Sequence, residues 1–202
     1  MENLTPFDLF SEDLNVQAEI QRSGDLLHVR YLALGHATQT LKLPNVVPPQ
    51  PKKSGDESGD ESGQPNRPSR KDELWKTTCF ELFFSIQGQT DYFELNFSPS
   101  GEWNAYHFDS YRNGMETEMR IQATQIRHGL KDGLFELQTT VDLSQLMTEL
   151  RAQLGSPNIT LDASLSAVIQ NQKGSTTFWA LRHVGNQPNF HLRDSFILKI
   201  RS

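Results

Sequence analysis

Apolar side chains recur at every second position along much of this chain, and that alternation limits its fold more than any other feature. Phe80, Leu82, Phe84 and Ile86 alternate with Cys79, Glu81, Phe83 and Ser85. Phe93, Leu95 and Phe97 alternate in the same way with Tyr92, Glu94 and Asn96. A period of two places one set on each face of a pleated strand. Comparable arms run over 16–20, 26–34, 41–43, 103–108, 119–127, 134–141, 159–170, 177–182 and 196–200. Ser23-Gly24, His128-Gly129 and Asp132-Gly133 supply turn signals between them. One helix is predicted, on the stripe Leu143, Leu146, Met147, Leu150 and Leu154, with Asp142 or Ser144 as its cap and Gly155 as its stop. Many short strands with turns every ~8–12 residues predict an all-β chain with one short helix. Its expected architecture is an antiparallel β-sandwich of immunoglobulin or jelly-roll type.

The alternation breaks once. No apolar residue occurs from Pro48 to Glu73, and six of the ten prolines fall between Pro44 and Pro68. Within that stretch Gly55-Asp56-Glu57-Ser58 is followed by Gly59-Asp60-Glu61-Ser62. Such a segment cannot bury enough surface to offset its ordering entropy. Residues 46–71 are therefore predicted to be a disordered loop inserted into one domain spanning 1–202. A tolerated surface insertion explains it more simply than a docking or regulatory segment, because added loop length costs little.

The balance of residue types narrows the function classes. The net charge is −6 and no basic cluster is interleaved with aromatics, so nucleic-acid binding is not expected. A single cysteine, Cys79, rules out a disulfide within the chain. No run approaches the ~18 apolar residues of a membrane span. The first residues, Met1-Glu2-Asn3-Leu4-Thr5-Pro6, have neither a basic n-region nor an apolar h-region. A soluble cytoplasmic protein is the expectation.

Cross-strand register then predicts a face. Residues directly opposite in an antiparallel pair share a face. Placing Phe84 opposite Phe93, Leu82 opposite Leu95 and Phe80 opposite Phe97 keeps the apolar residues together, whereas a one-residue slip would mix the faces. If Ser98-Pro99-Ser100-Gly101 is a four-residue connection, Trp103 falls opposite Asn96 and His107 opposite Tyr92. The second face then carries Glu81, Phe83, Tyr92, Glu94, Asn96, Trp103 and His107. Carboxylates, an amide, an imidazole and rings on one surface suit a sugar, whose C–H faces stack on rings and whose hydroxyls take hydrogen bonds. The plainer alternative is a mixed face under a loop, with Trp103 packed beneath it. This register also puts Glu102 and Asn104 on the core side.

These stretches carry a resemblance. Leu74-Trp75-Lys76-Thr77-Thr78-Cys79-Phe80-Glu81-Leu82-Phe83 resembles the "LW…TCFELF" motif of bacterial DOMON-like domains. Asn96-Phe97-Ser98-Pro99-Ser100-Gly101-Glu102-Trp103-Asn104-Ala105-Tyr106 is similar to their "NFSPSG.W.AY". Phe108-Asp109-Ser110-Tyr111-Arg112-Asn113-Gly114-Met115 is similar to their "F..YR.GM". Phe178-Trp179-Ala180-Leu181-Arg182-His183 and Pro188-Asn189-Phe190-His191-Leu192-Arg193-Asp194-Ser195-Phe196 look like their closing "YWAL.H…PDFH..DSF". The match is to the subgroup often encoded beside a peptidoglycan-precursor reductase, and it covers the chain outside 46–71. The resemblance implies a sandwich related to family-9 carbohydrate-binding modules and to haem-binding DOMON domains, with sugar or haem as ligand and no stated protein partner.

Three functions follow as expectations. The first is a non-catalytic domain binding a carbohydrate or similar polar small molecule through Trp103, Glu81, Glu94, Asn96, His107 and Tyr92, with Trp179 and Trp75 at the rim. The second is a b-type haem module. The resemblance implies Met and His axial ligands, for which Met115, Met119, His107, His183 and His191 are available. No Cys-x-x-Cys-His attachment motif is present. The third is a glycoside-processing enzyme using Glu81 and Glu94, which as diagonal neighbours would lie ~7–8 Å apart, within the span of glycosidase pairs. No nucleophile elbow, phosphate loop or zinc spacing accompanies them. Arg112 and Asp194, both in the resembling motifs, are candidates for a structural ion pair. The Asp-Glu repeats at 55–62 do not have the spacing of a calcium loop.

Overall fold

The computed structural model describes residues 1–8, 13–43 and 68–201. Along the chain run β1 (Glu2–Pro6), β2 (Asn15–Ser23), β3 (Leu26–Leu34), β4 (Cys79–Ile86), β5 (Tyr92–Phe97), β6 (Trp103–Phe108) and β7 (Glu116–Thr117). They are followed by β8 (Gln122–Lys131), β9 (Leu134–Asp142), helix α1 (Ser144–Leu154), β10 (Leu161–Gln170), β11 (Thr176–Ala180) and β12 (Leu198–Ile200). Among the described residues the fold is all-β and antiparallel, with one short α-helix. Pairing runs in the order β7-β6-β5-β4-β10-β11-β1-β2-β3-β9-β8, with β12 on β10.

Strand β1 joins two layers. Glu2, Asn3 and Leu4 pair with β2, while Thr5 and Pro6 pair with β11. The sheet curls there, and its inner faces pack on each other. Phe80 stacks on Phe135 of β9 with ring centroids 5.5 Å apart, and Tyr31 Oη of β3 donates to the Glu81 carbonyl at 2.6 Å. Burying such rings removes ~150–250 Å² each from water, so this interface dominates the core energetics.

Local signals explain the connections. Asp132 and Gly133 take φ 51 and 76, the mirror-image turn that matches strand twist in a two-residue hairpin. The other expected turn, His128-Gly129, instead lies inside β8, where Gly129 pairs with Glu136. Only one reversal is needed, and Asp-Gly makes it with less strain. The N-cap of helix α1 is Leu143, without a side-chain cap, rather than the expected Asp142 or Ser144; Asp142 Oδ1 accepts from the Ser144 N–H at 2.8 Å just before it, and the helix ends at Gly155 in the left-handed region.

The β4–β5 pairing has the expected register: Phe84 with Phe93, Leu82 with Leu95 and Phe80 with Phe97. The β5–β6 pairing is one residue away from expectation. Phe97 pairs with Trp103, Leu95 with Ala105 and Phe93 with His107. The connection is the five residues 98–102, with Gly101 at φ 85 and the Ser98 N–H donating to the Glu102 carbonyl at 2.8 Å. The expected register would have turned the Glu102 carboxylate into the core. In the observed one it stays at the surface, where Lys71 Nζ and Ser100 Oγ lie 2.9 and 2.8 Å from its Oε2. Trp103 moves to the inner face.

Residues 68–71 correct the predicted loop boundary, while 46–67 lie outside the described residues. Arg70 forms a parallel bridge with Trp103, through Trp103 N–H to the Ser69 carbonyl and Lys71 N–H to the Trp103 carbonyl, each at 2.9 Å. The Arg70 guanidinium lies 4.2 Å from the Trp103 ring centroid and donates to the carbonyls of Glu118 and Ile121 at 2.9 and 2.6 Å. A charged, apolar-poor stretch is ordered here by hydrogen bonds and a ring contact, neither of which hydropathy registers. Among the described residues no helix is long and apolar enough to cross a membrane.

Candidate functional site

The outer face of β4–β6, continued by β10 and β11, carries the site. Alternation points Glu81 and Phe83 outward from β4, and Tyr92, Glu94 and Asn96 from β5. The shifted register adds Asn104, Tyr106 and Phe108 from β6, in place of Trp103 and His107. Ser166, Val168 and Phe178 complete the surface from β10 and β11. Phe83, Tyr92, Tyr106, Phe108 and Phe196 form a second, smaller apolar cluster on this side, with Trp75 and Phe190 packed against it.

Three stretches rise over the face and leave a cavity of about 310 Å³. Trp75 comes from the short turn before β4, Arg112 and Met115 from the loop after β6, and Pro188, Phe190 and His191 from the stretch before β12. Glu81, Phe83, Glu94, Phe108, Val168 and Phe178 line it from the strands. Glu81 is 2% exposed and Glu94 5%.

Burial governs the charge state of the pair. It raises the Glu81 carboxyl well above the usual carboxylate range, and the neighbouring Glu94 raises it further; Ser166 and Arg112 oppose this. Glu94 is pushed up to about 7 by burial, against its hydrogen bond from Asn96 and the field of Arg112. Asn96 Nδ2 donates to Glu94 Oε1 at 2.8 Å, and Ser166 Oγ to Glu81 Oε2 at 3.2 Å.

His191 is neutral, because burial and the positive charge of Arg112 push it down to about 3. The Arg112 backbone N–H donates to Tyr92 Oη at 3.1 Å, and the same oxygen shares a hydrogen bond with His191 Nδ1 at 2.8 Å. The other ring nitrogen, Nε2, faces Glu94 Oε2 at 3.7 Å. With a neutral ring this is a polar contact rather than an ion pair.

The seven residues expected to bind ligand separate into three groups. Glu81 and Glu94 line the cavity. Asn96 and Tyr92 sit behind its wall, where they hold Glu94 and His191 respectively. Trp103, His107 and Trp179 lie elsewhere. Trp103 is 2% exposed in the main core, with Nε1 donating to the Pro68 carbonyl at 3.2 Å. Trp179 pairs with Ala167 on the inner face, so its neighbour Phe178 points to the cavity instead. His107 shares the Phe93 side of the sheet, 3.3 Å from Asp91 Oδ2. The one-residue change of register explains Trp103 and His107, since it exchanges the faces of β6; Trp179 alternates with Phe178 along β11 and takes the inner face. Arg112 forms no ion pair with Asp194 among the described residues; it faces the cavity and donates to Asn189 Oδ1 at 3.5 Å. Arg112, His191, Phe108, Phe178 and Phe190 were absent from the expected sugar site. All five lie in the stretches quoted for the resemblance, which was the signal available for them.

Of the side chains expected as haem ligands, three lie away from the cavity and two reach it. His183 contacts the Thr5 carbonyl at 2.8 Å, Met119 is exposed, and His107 is on the other side of the sheet. Met115 and His191 reach the cavity. Among the described residues no three metal-ligating side chains cluster.

No family model matches the chain, and no curated protein matches its sequence significantly. Two solved structures resemble it. One is a candidate carbohydrate-binding protein from Bacteroides uniformis, at 13% identity and TM-score 0.58, over 98% of this chain and 85% of that one. The other is a family 9 carbohydrate-binding module from Caldicellulosiruptor kristjanssonii in complex with glucose, at 11% identity and TM-score 0.44, over 95% and 78%. The first likeness extends the curled antiparallel fold over nearly the whole chain.

Proposed function

We propose that this protein is a non-catalytic, DOMON-like ligand-binding domain that takes a carbohydrate or similar polar small molecule in the cavity above Glu81 and Glu94. One observation carries the reading: a single cavity combines aromatic walls with buried hydrogen-bonding groups. Trp75, Phe83, Phe108, Phe178 and Phe190 offer rings to sugar C–H surfaces. Glu81, Glu94, His191 and Arg112 offer acceptors and donors to hydroxyls. A volume of about 310 Å³ is at the small end of ligand sites, which run ~300–1,000 Å³. The fold neighbour described as carbohydrate-binding supports the same class. The motifs that resemble DOMON-like domains support it too, since they contribute much of the wall. The lone, buried Cys79 fits a reducing, cytoplasmic setting.

Calorimetric titration with a saccharide panel, backed by a glycan array, tests the proposal. Binding is expected, and Trp75→Ala is expected to weaken it ~3–10-fold, the worth of one aromatic contact. Absence of binding to every sugar, or binding indifferent to Trp75→Ala, would count against it.

A further inference from the structure

The floor of the cavity has more acceptors than donors. Glu81 and Glu94 are each more than nine-tenths buried and face into it. One oxygen of each carboxyl accepts a hydrogen bond, from Ser166 and Asn96. The second oxygen of each has no hydrogen-bond donor among the described residues; for Glu94 the imidazole Nε2 stands off at 3.7 Å. Arg112 is the full cation acting on both carboxyls, yet it makes no direct ion pair with either and reaches towards Asn189 instead. The other titratable groups around the pair, Cys79, Tyr31, Tyr92, Tyr106 and His191, are neutral: burial raises the thiol and the phenols and lowers the imidazole.

Charge and wall chemistry point the same way. With both carboxyls ionised, Arg112 leaves one negative charge over, and a ligand carrying a single positive charge brings that sum to zero. An ammonium group also brings three N–H donors to the open oxygens. The rings of Trp75, Phe83, Phe108, Phe178 and Phe190 add the quadrupole that attracts a cation held close to them.

We propose that the cavity selects an amino sugar, whose ammonium group seats on Glu81 and Glu94 against the aromatic wall. The sugar hydroxyls point outward to His191 and Arg112. This rests on the cavity being the saccharide site. Without ligand the pair sheds its charge by holding protons; the ammonium displaces them. Affinity for the amine therefore rises as the carboxyls ionise, and affinity for a neutral sugar does not.

The test is calorimetric titration of the full chain at pH 7.5 with glucosamine, glucose, N-acetylglucosamine and n-butylammonium. Glucosamine is expected to bind at least about tenfold more tightly than either neutral sugar, a step of about 1.4 kcal/mol. That advantage is expected to shrink at pH 5.5 and in Glu94→Gln. The pH arm uses unaltered protein, so it stands if the variant folds poorly. Equal binding of amine and neutral sugars overturns the amino-sugar inference and leaves the saccharide reading intact. No binding of any sugar overturns both. Equally tight n-butylammonium overturns the sugar part in favour of a simple amine.

Discussion

On the inner face of β4–β6, Phe80, Leu82, Phe84, Leu95, Phe97 and Trp103 meet the second layer of the sandwich. On the outer face of the same strands, Glu81, Glu94, Asn96, Asn104 and Tyr106 are buried almost as completely, under loops. Equal burial therefore serves two kinds of chemistry. The inner face gains from every apolar contact. The outer face keeps carboxyls in a dry setting, where they are costly unless something pairs with them. Burial alone does not mark a core; the character of the buried groups does.

The contrast can be broken most forcefully at Trp103. Trp103→Ala is expected to cost ~3–5 kcal/mol in denaturant unfolding, the usual loss for a buried tryptophan. Ligand affinity of the folded protein should survive. Loss of affinity with unchanged stability would mean that Trp103 belongs to the binding face after all.

Next comes the pH dependence of the outer face. Burial raises Glu94 from 4.5 to about 7, so the folded state holds this proton more tightly than the unfolded chain. The stabilisation is complete below about pH 4.5 and is lost as pH rises through about 7. A loss on the order of 3 kcal/mol is expected over that window. Glu94→Gln should flatten the profile and leave the protein more stable than wild type at pH 8. Wild-type stability that climbs from pH 5 to 8 would contradict the account.

Arg70→Ala probes the edge where the two faces meet. It leaves the carbonyls of Glu118 and Ile121 without their donor, and a loss of ~1–3 kcal/mol is expected in thermal unfolding. No change would show that residues 68–71 do not anchor Trp103. The smallest stability effect is expected from Trp75→Ala. Half-buried at the cavity wall, Trp75 should matter chiefly to ligand affinity.

Strand order aside, most elements could be read from alternation, because the apolar stripes of β4, β5 and β9 tolerate no other register. The face of β6 could not. It depended on whether the connection after Phe97 held four residues or five, and one residue decides whether Trp103 and His107 or Tyr106 and Phe108 share the face of Glu94. The pairing of Tyr92 with His191, 99 positions apart in the chain, has no local signal at all. Nor does the approach of Arg112 to Glu94. Such contacts are made by loops folding over a sheet, which periodicity does not describe. Two carboxylates on one face were visible from spacing alone; the groups that complete the site were not.

The three tryptophans offer the most direct test of the cavity as the binding site. Trp75 lines it, while Trp103 and Trp179 lie in the inner core. Their indole N–H resonances can be followed in a ¹⁵N–¹H correlation spectrum during titration with a binding saccharide. The Trp75 signal is expected to shift saturably while those of Trp103 and Trp179 stay in place. A shift of the Trp103 or Trp179 signal with Trp75 unmoved would contradict it.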